Sequence, residues 1–371
     1  MQILISAGEA SGEAYGAQLI AALRRRVPDA TFFGLGGEAM RAAGCHITVN
    51  TRDLAVVGLA EVVSHLPRIY REYRKLLGDV DQRRPAAAVL IDSPDFNFRL
   101  ARQLHRRGVP VFYYVSPQLW AWRPRRIELV RRYVRKMLVI FPFEEAWYRE
   151  RGVDAVYVGH PLADVPPPAI SREAFAAAKG LDAAKPWIAI LPGSRRKEVT
   201  MNLPAMLRGA ARCKEYELVL PVASTLDPAW VAALAARERV AVKLTRDSRA
   251  TLQHARVAVV ASGTATLEAA LLGTPFVMVY RVSPLTWMLG RRLVQVSNFC
   301  IVNLVLGREA VVELVQKNFT AERVAAALET MVADGPQREA MLTAFAELRQ
   351  KLHPGAQSAA ERAAEIITAK A

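Results

Sequence analysis

Short apolar runs recur along the chain, each closed by a glycine-bearing or polar turn and followed by a segment with helical periodicity. ILISA (3–7), TFFGLGG (31–37), AAAVLI (86–91), VPVFYYVS (109–116), MLVIFPF (137–143) and AVYVGHP (155–161) read as strands in the first half. WIAILPGSR (187–195), ELVLPVA (217–223), VAVKLT (240–245) and VAVVA (257–261) do so in the second. Strands that are apolar throughout and alternate with helices predict an α/β protein with parallel sheets covered on both faces. At 371 residues the chain exceeds what one core usually serves. The expected fold class is therefore α/β with two doubly wound, Rossmann-like domains facing across a cleft. Pro166, Pro167 and Pro168 mark a composition shift. The expected divisions are an N-terminal domain at 1–165, a linker at 166–186, a second domain at 187–340, and C-terminal helices at 341–371 that return to the first domain or dock on a partner chain.

The stretch 257–280 has the form strand, tight turn, helix, strand, with Ser262, Gly263, Thr264, Ala265 and Thr266 at the turn and Gly273 after the helix. A helix that starts at a strand's carboxyl end aims its first amides and its positive dipole end at the sheet edge, where an anion such as a nucleotide diphosphate binds. Taken alone, it reads first as an ordinary βαβ unit whose Gly263 serves the turn. A second strand-end loop, Pro192-Gly193-Ser194-Arg195, offers backbone donors and a guanidinium for the same phosphates. Glu268, one turn into the helix, can accept from the hydroxyls of a ribose.

In the first half, Asp92 follows a buried strand directly, which is where α/β folds place catalytic carboxylates. Asp95 is the better candidate for capping the helix that follows. Glu9, Ser11 and Glu13 put polar groups in the first strand–helix loop. Its glycines, Gly8, Gly12 and Gly16, do not have the dinucleotide spacing, so no nicotinamide cofactor is indicated. Asp79-Val80-Asp81 precedes a strand and so sits away from the ligand edge, which removes it as a metal motif. No cofactor or metal is expected. His160, after a glycine at a strand end, reads equally as a ligand-side or a structural residue. Residues 55–77 carry an apolar stripe that includes Val62, Val63 and Leu66, with Arg68, Arg71, Arg74 and Lys75 opposite, and Pro67 is expected to restart the helix. The stripe reads as core, or as a surface for an acyl chain or a membrane.

Charge narrows the partner class. Fifty basic against 35 acidic residues leave a net +15, which calls for an anionic partner. Arg123, Arg125, Arg126, Arg131, Arg132, Arg135 and Lys136 cluster beside Trp120 and Trp122. This pairing suits the headgroup level of an anionic bilayer, and also single-stranded nucleic acid. A solvated helix face beside two core tryptophans is the plain alternative. No apolar run reaches the roughly 18 residues of a membrane span. The three cysteines are scattered and odd in number, and no secretory leader is legible, so a cytoplasmic setting is expected.

SAGEASGE (6–13), GLAEV (58–62), IDSPDFNF (91–98), YVSPQLWAWR (114–123), GHPLAD (159–164), LPGSR (191–195), ASGTATLE (261–268), YRVSPLT (280–286), NLVLGRE (303–309) and ELVQ (313–316) together resemble the lipid-A-disaccharide synthases. These are inverting glycosyltransferases of the two-domain GT-B type, and the resemblance spans nearly the whole chain. Val302 precedes Asn303 where the family pattern has proline. The resemblance implies transfer of 2,3-diacylglucosamine from UDP to 2,3-diacylglucosamine 1-phosphate, giving a β-1,6 disaccharide by metal-independent single displacement. It implies Asp92 as base, Glu9 on the acceptor side, and Arg195 and Asn303 on the donor phosphates or sugar. Glu268 would hold the ribose, with Gly193, Ser194 and 262–266 around UDP. Ser11, Val62, Val63, Leu66, Trp120, Trp122 and Arg123 would form the acceptor and membrane side. Peripheral association with the anionic inner membrane is expected, with no nucleic-acid partner, as a monomer or a homodimer through the C-terminal tail. The alternatives are another GT-B enzyme using UDP-N-acetylglucosamine, either a peptidoglycan lipid glycosyltransferase or a UDP-sugar epimerase.

Overall fold

A computed structural model of the chain describes residues 1–54, 59–290 and 298–370. It divides into two compact units, Met1–Asp164 with Leu352–Ala371, and Val165–Lys351. In the first unit the strands are β1 (Gln2–Ala7), β2 (Thr31–Gly36), β3 (Cys45–Asn50), β4 (Ala87–Ile91), β5 (Val111–Tyr114), β6 (Lys136–Val139) and β7 (Ala155–Tyr157). In the second they are β8 (Trp187–Leu191), β9 (Glu217–Pro221), β10 (Lys243–Thr245), β11 (Val257–Ala261), β12 (Phe276–Tyr280) and β13 (Glu313–Val315). The sheet orders are β3-β2-β1-β4-β5-β6-β7 and β10-β9-β8-β11-β12-β13. Neighbouring strands pair in parallel throughout.

Both sheets are doubly wound, as the alternating pattern predicts. β4, β8 and β11 are buried along their whole length because helices cover both faces. In each unit the strand order reverses at one place, between β1 and β4 in the first and between β8 and β11 in the second. Ligands of open α/β sheets bind beyond the carboxyl ends of the strands at such a switch point. The loops that matter are therefore Gly8–Glu9 beside Asp92–Ser93, and Pro192–Arg195 beside Ser262–Thr264.

Several sequence-based expectations need correction. The segment 166–186 is more than a linker, since it contains the helix Arg172–Lys179, capped by Ser171 and closed by the left-handed Gly180. Phe175 of that helix is buried with Trp187 of β8, and the Arg172 guanidinium stacks 3.8 Å over the Trp187 ring, so the segment belongs to the second core. The boundary expected at 341 falls at 352. Met341, Ala344, Phe345 and Leu348 are buried, and Phe345 stacks on Phe276 of β12, which holds the helix Pro336–Leu352 in the second unit. Past Leu352, the helix Ala359–Lys370 lies along Ala10–Arg26. Ala363, Ala364 and Ile367 are buried there, and Arg25–Glu361 and Arg26–Glu365 ion pairs flank them.

Pro67 does not restart a helix. It sits inside the continuous helix Leu59–Arg83, where its missing N–H removes one rung, and buried Leu76, Leu77 and Val80 hold the helix to the core. Residues 55–58 and the side chains of Val62, Val63 and Leu66 lie outside the described residues. Among the described residues, no helix is long and apolar enough to cross a membrane.

Candidate functional site

Gly8 brings the first two loops together. A Cβ on Gly8 would lie 2.3 Å from Ser93 Oγ, so only glycine lets the β1 loop approach the β4 loop this closely. Glu9 stands exposed just ahead of the helix Ala10–Arg26, and Ser11 is half-buried in its first turn. Glu13 turns inward, where its Oε1 accepts from Ala39 N at 2.6 Å. The chain leaves β4 through Asp92 and Ser93, both in the left-handed region with φ of 46° and 45°. Burial pushes the Asp92 carboxyl up to about 6, and the nearby Glu9 charge adds to this. A carboxylate raised to near neutrality at a switch point is suited to take a proton from a hydroxyl.

Asp95 is not the cap. Pro94 opens the helix Pro94–Arg106, Ser93 stands at the cap position, and Asp95 is held by Arg126 at 2.5 Å and Arg123 at 3.4 Å. The carbonyl of Asp92 accepts from Asn97 Nδ2 at 2.7 Å and from Tyr113 Oη at 2.6 Å. Neither residue was singled out in the sequence. The available signal for Asn97 is an amide on the buried stripe it shares with Leu100, Ala101 and Leu104.

Asp79 and Asp81 are tied up by the protein. Thr48 Oγ1 donates to Asp79 at 2.5 Å, and Arg107 binds Asp81 at 2.6 Å. His160 is structural. It is buried against Tyr15 and Phe141, its Nδ1 accepts from Leu162 N, and burial holds it neutral by lowering it to about 3.

The two tryptophans part company. In the short helix Leu119–Trp122, residues two apart point to opposite sides, about 200° round the axis. Trp122 is 40% exposed, with the Arg123 guanidinium 4.0 Å over its ring. Trp120 packs edge-on to Phe143 and donates its indole N–H to Glu144 Oε1 at 3.0 Å. Glu144 is buried, and it also accepts from Ser116 Oγ, Ile140 N and Phe141 N. Burial raises its carboxyl to about 7 although all four donors favour the anion. Sequence reasoning passed over this residue because it lies in an ordinary-looking helix start.

In the second unit, Gly263 has φ 143°, a conformation glycine adopts at little cost, and no side chain caps the helix Thr264–Leu272. Thr264 is exposed and Ala265 half-buried at its first turn. The Thr266 hydroxyl turns back to Gly263 O, and Ser262 Oγ donates to Phe299 O at 2.9 Å. Glu268 is half-buried with Arg249 at 3.8 Å, and burial raises its carboxyl against that cation's pull.

The neighbouring loop departs from expectation. Glu198 Oε2 accepts from Ser194 N at 3.2 Å and Arg195 N at 3.3 Å, so these donors are engaged by a carboxylate in the first turn of the following helix, Arg196–Ala210. Gly193, at φ 120°, makes room for it. The Arg195 side chain remains 72% exposed while its guanidinium meets Glu198 Oε1 at 3.0 Å. Asn303 is held inside the fold. It is fully buried, Nδ2 donates to Val311 O and to Glu313 Oε1, and Oδ1 accepts from Ala310 N and Val311 N. Both donor protons and both acceptor positions of the Asn303 amide are thus engaged within the fold. Its partner Glu313 accepts from Phe299 N and Cys300 N, which links Asn303 to the Ser262 turn.

Residues 3–367 match the family model described as lipid-A-disaccharide synthetase. The chain belongs to the lipid-A-disaccharide synthase family. The lipid-A-disaccharide synthase of Koribacter versatilis (strain Ellin345) is 59% identical over 373 residues, 99% of this chain and 98% of that protein. Among solved structures, CalG4, the calicheamicin glycosyltransferase, superposes with a TM-score of 0.59 at 16% identity, over 99% of this chain and 97% of that one. The S. aureus MnaA–UDP co-structure does so at 0.67 and 13% identity, over 99% and 96%. At such identities these two show the fold alone, two Rossmann-like domains of the GT-B kind. Membership makes the protein a disaccharide-forming glycosyltransferase of lipid A biosynthesis.

Proposed function

We propose that the enzyme transfers 2,3-diacylglucosamine from UDP to the 6-hydroxyl of 2,3-diacylglucosamine 1-phosphate in a single displacement with inversion. Asp92 takes the hydroxyl proton as the oxygen attacks the anomeric carbon, and UDP departs. The observation that carries the assignment is the place of Asp92 directly after β4, at the switch point of the first sheet, where burial also raises its carboxyl to about 6. In the second unit, the uncapped helix start at Thr264 and the exposed Arg195 meet the charge on the leaving diphosphate. Glu268 accepts from the ribose hydroxyls. The disaccharide assay with the UDP-linked diacylated donor and its monophosphate acceptor tests the reading. Turnover of UDP-N-acetylglucosamine without acyl chains, and none with the acylated pair, would favour a different GT-B enzyme.

Glu268→Gln keeps the shape but weakens a charge-assisted contact, and UDP affinity is expected to fall about tenfold. The check is a titration of UDP followed by thermal stabilisation of the protein. Unchanged stabilisation would remove Glu268 from the ribose.

The acceptor side also supports peripheral binding to an anionic membrane. Trp122 projects into solvent, and Arg125, Arg132 and Arg135 are exposed in the same stretch. Flotation with anionic liposomes is expected to show association at low salt and release at high salt, with Trp122→Ala weakening it. Failure to float at low salt would refute this surface.

A further inference from the structure

The edge of the first sheet is strained in one patch. Asp92 and Ser93 are left-handed, and so is Val115, at φ 61°, just past β5. For a β-branched residue that conformation is a true outlier. The three are contiguous, since Asp92 N donates to Val115 O at 3.3 Å. Strained backbone persists only where its surroundings over-determine it.

Those surroundings are a buried polar chain drawn from three elements. Ser6 of β1 donates through Oγ to Asn97 Oδ1 at 2.7 Å. Asn97, on the helix after β4, spends both Nδ2 protons on the carbonyls of Ile91 at 3.1 Å and Asp92 at 2.7 Å. Tyr113 of β5 supplies the second donor to Asp92 O at 2.6 Å. Ser6, Asn97 and Tyr113 are all fully buried in an apolar core. Burial keeps the Tyr113 phenol protonated and therefore a donor. Polar groups at such a depth destabilise a fold unless paired, and here two of the three converge on one peptide oxygen.

We propose that Asn97, with Tyr113 and Ser6, is a positioning residue that pins the Asp92 carbonyl inward, so that the left-handed backbone turns the carboxylate out of the sheet edge. This rests on the reading of Asp92 as the base. Without the two donors on its carbonyl, Asp92 relaxes toward the extended conformation of a strand end, and its carboxylate shifts relative to the hydroxyl it must reach. A displacement of about 1 Å costs on the order of a hundredfold in rate. Two protein donors already occupy this carbonyl, so the role predicts an effect on kcat rather than on KM.

The test compares Asn97→Leu, Tyr113→Phe and Asp92→Asn in the full-length enzyme, by disaccharide assay across pH, with UDP thermal stabilisation as the measure of an intact second unit. Asn97→Leu is expected to lower kcat about a hundredfold and Tyr113→Phe about tenfold, with KM for both substrates unchanged. In both, the acid limb of kcat leaves its wild-type position, because the burial that raises Asp92 belongs to the pinned arrangement. If Asn97→Leu fails to fold, Tyr113→Phe decides alone, because it removes one oxygen from a filled site. Folded variants with wild-type kcat and acid limb, beside an inactive Asp92→Asn, overturn the positioning role and leave the base assignment standing. An active Asp92→Asn overturns the base assignment and this role with it.

Discussion

Asp92→Asn is expected to lower turnover by roughly a hundred- to ten-thousandfold while making the first unit harder to unfold at neutral pH. The first effect is the loss of the base. The second follows from burial, which raises the carboxyl from an ordinary value near 4 to about 6. A carboxyl raised in the fold favours folding when protonated. Its contribution is complete below about pH 4 and is lost as pH rises through about 6. At pH 7.5 the ionised, half-buried Asp92 therefore costs on the order of 2–3 kcal/mol, an upper bound because water reaches it. Asparagine has no charge to bury, so the unfolding midpoint of the first unit should rise by several degrees. For the same reason kcat should fall on the acid side with a limb near pH 6. Calorimetry and the disaccharide assay across pH check these outcomes. Near-normal turnover with an unchanged midpoint would show that Asp92 is neither base nor buried charge.

Asn303→Ala is expected to abolish activity by a different route, destabilising the second unit by about 3 kcal/mol or more. Truncation strands the amides of Ala310 and Val311 and removes the partner of Glu313. Each buried group left unpaired costs about 1–3 kcal/mol. The damage spreads to the Ser262 turn, because Glu313 also holds Phe299 N and Cys300 N, and Phe299 O receives Ser262. The midpoint of the second unit should fall by about 10 °C, with UDP restoring part of it. Lost turnover at a wild-type midpoint would return Asn303 to the donor site.

How these two residues were read shows where sequence reasoning stops. The strand-end place of Asp92 is legible because the end of an apolar run marks the end of a strand, and strand ends are where the sheet edge lies. Asn303 carries the same kind of signal, a polar residue in an apolar setting, but that signal is shared by residues that face a ligand and residues that satisfy the backbone. Only the positions of Ala310, Val311 and Glu313 separate the two cases. Trp120 and Trp122 make the same point, since one turned to Glu144 and the other to solvent. At 192–195, the loop itself was legible while Glu198 on its amides was not.

The sequence by itself determined the alternation of buried strands and helices, the two sheets, the strand-end places of Asp92, 192–195 and 262–266, and the family through its joint motifs. These are local or periodic properties, encoded in hydrophobic spacing and in glycines that a turn requires. Only the tertiary structure decided that Asn97 and Tyr113 meet on the Asp92 carbonyl, that Asn303 closes a loop, and that the C-terminal helix returns to the first unit. Each depends on residues distant along the chain coming together, and a hydrophobic pattern records which face of an element is buried but not which partner lies across from it.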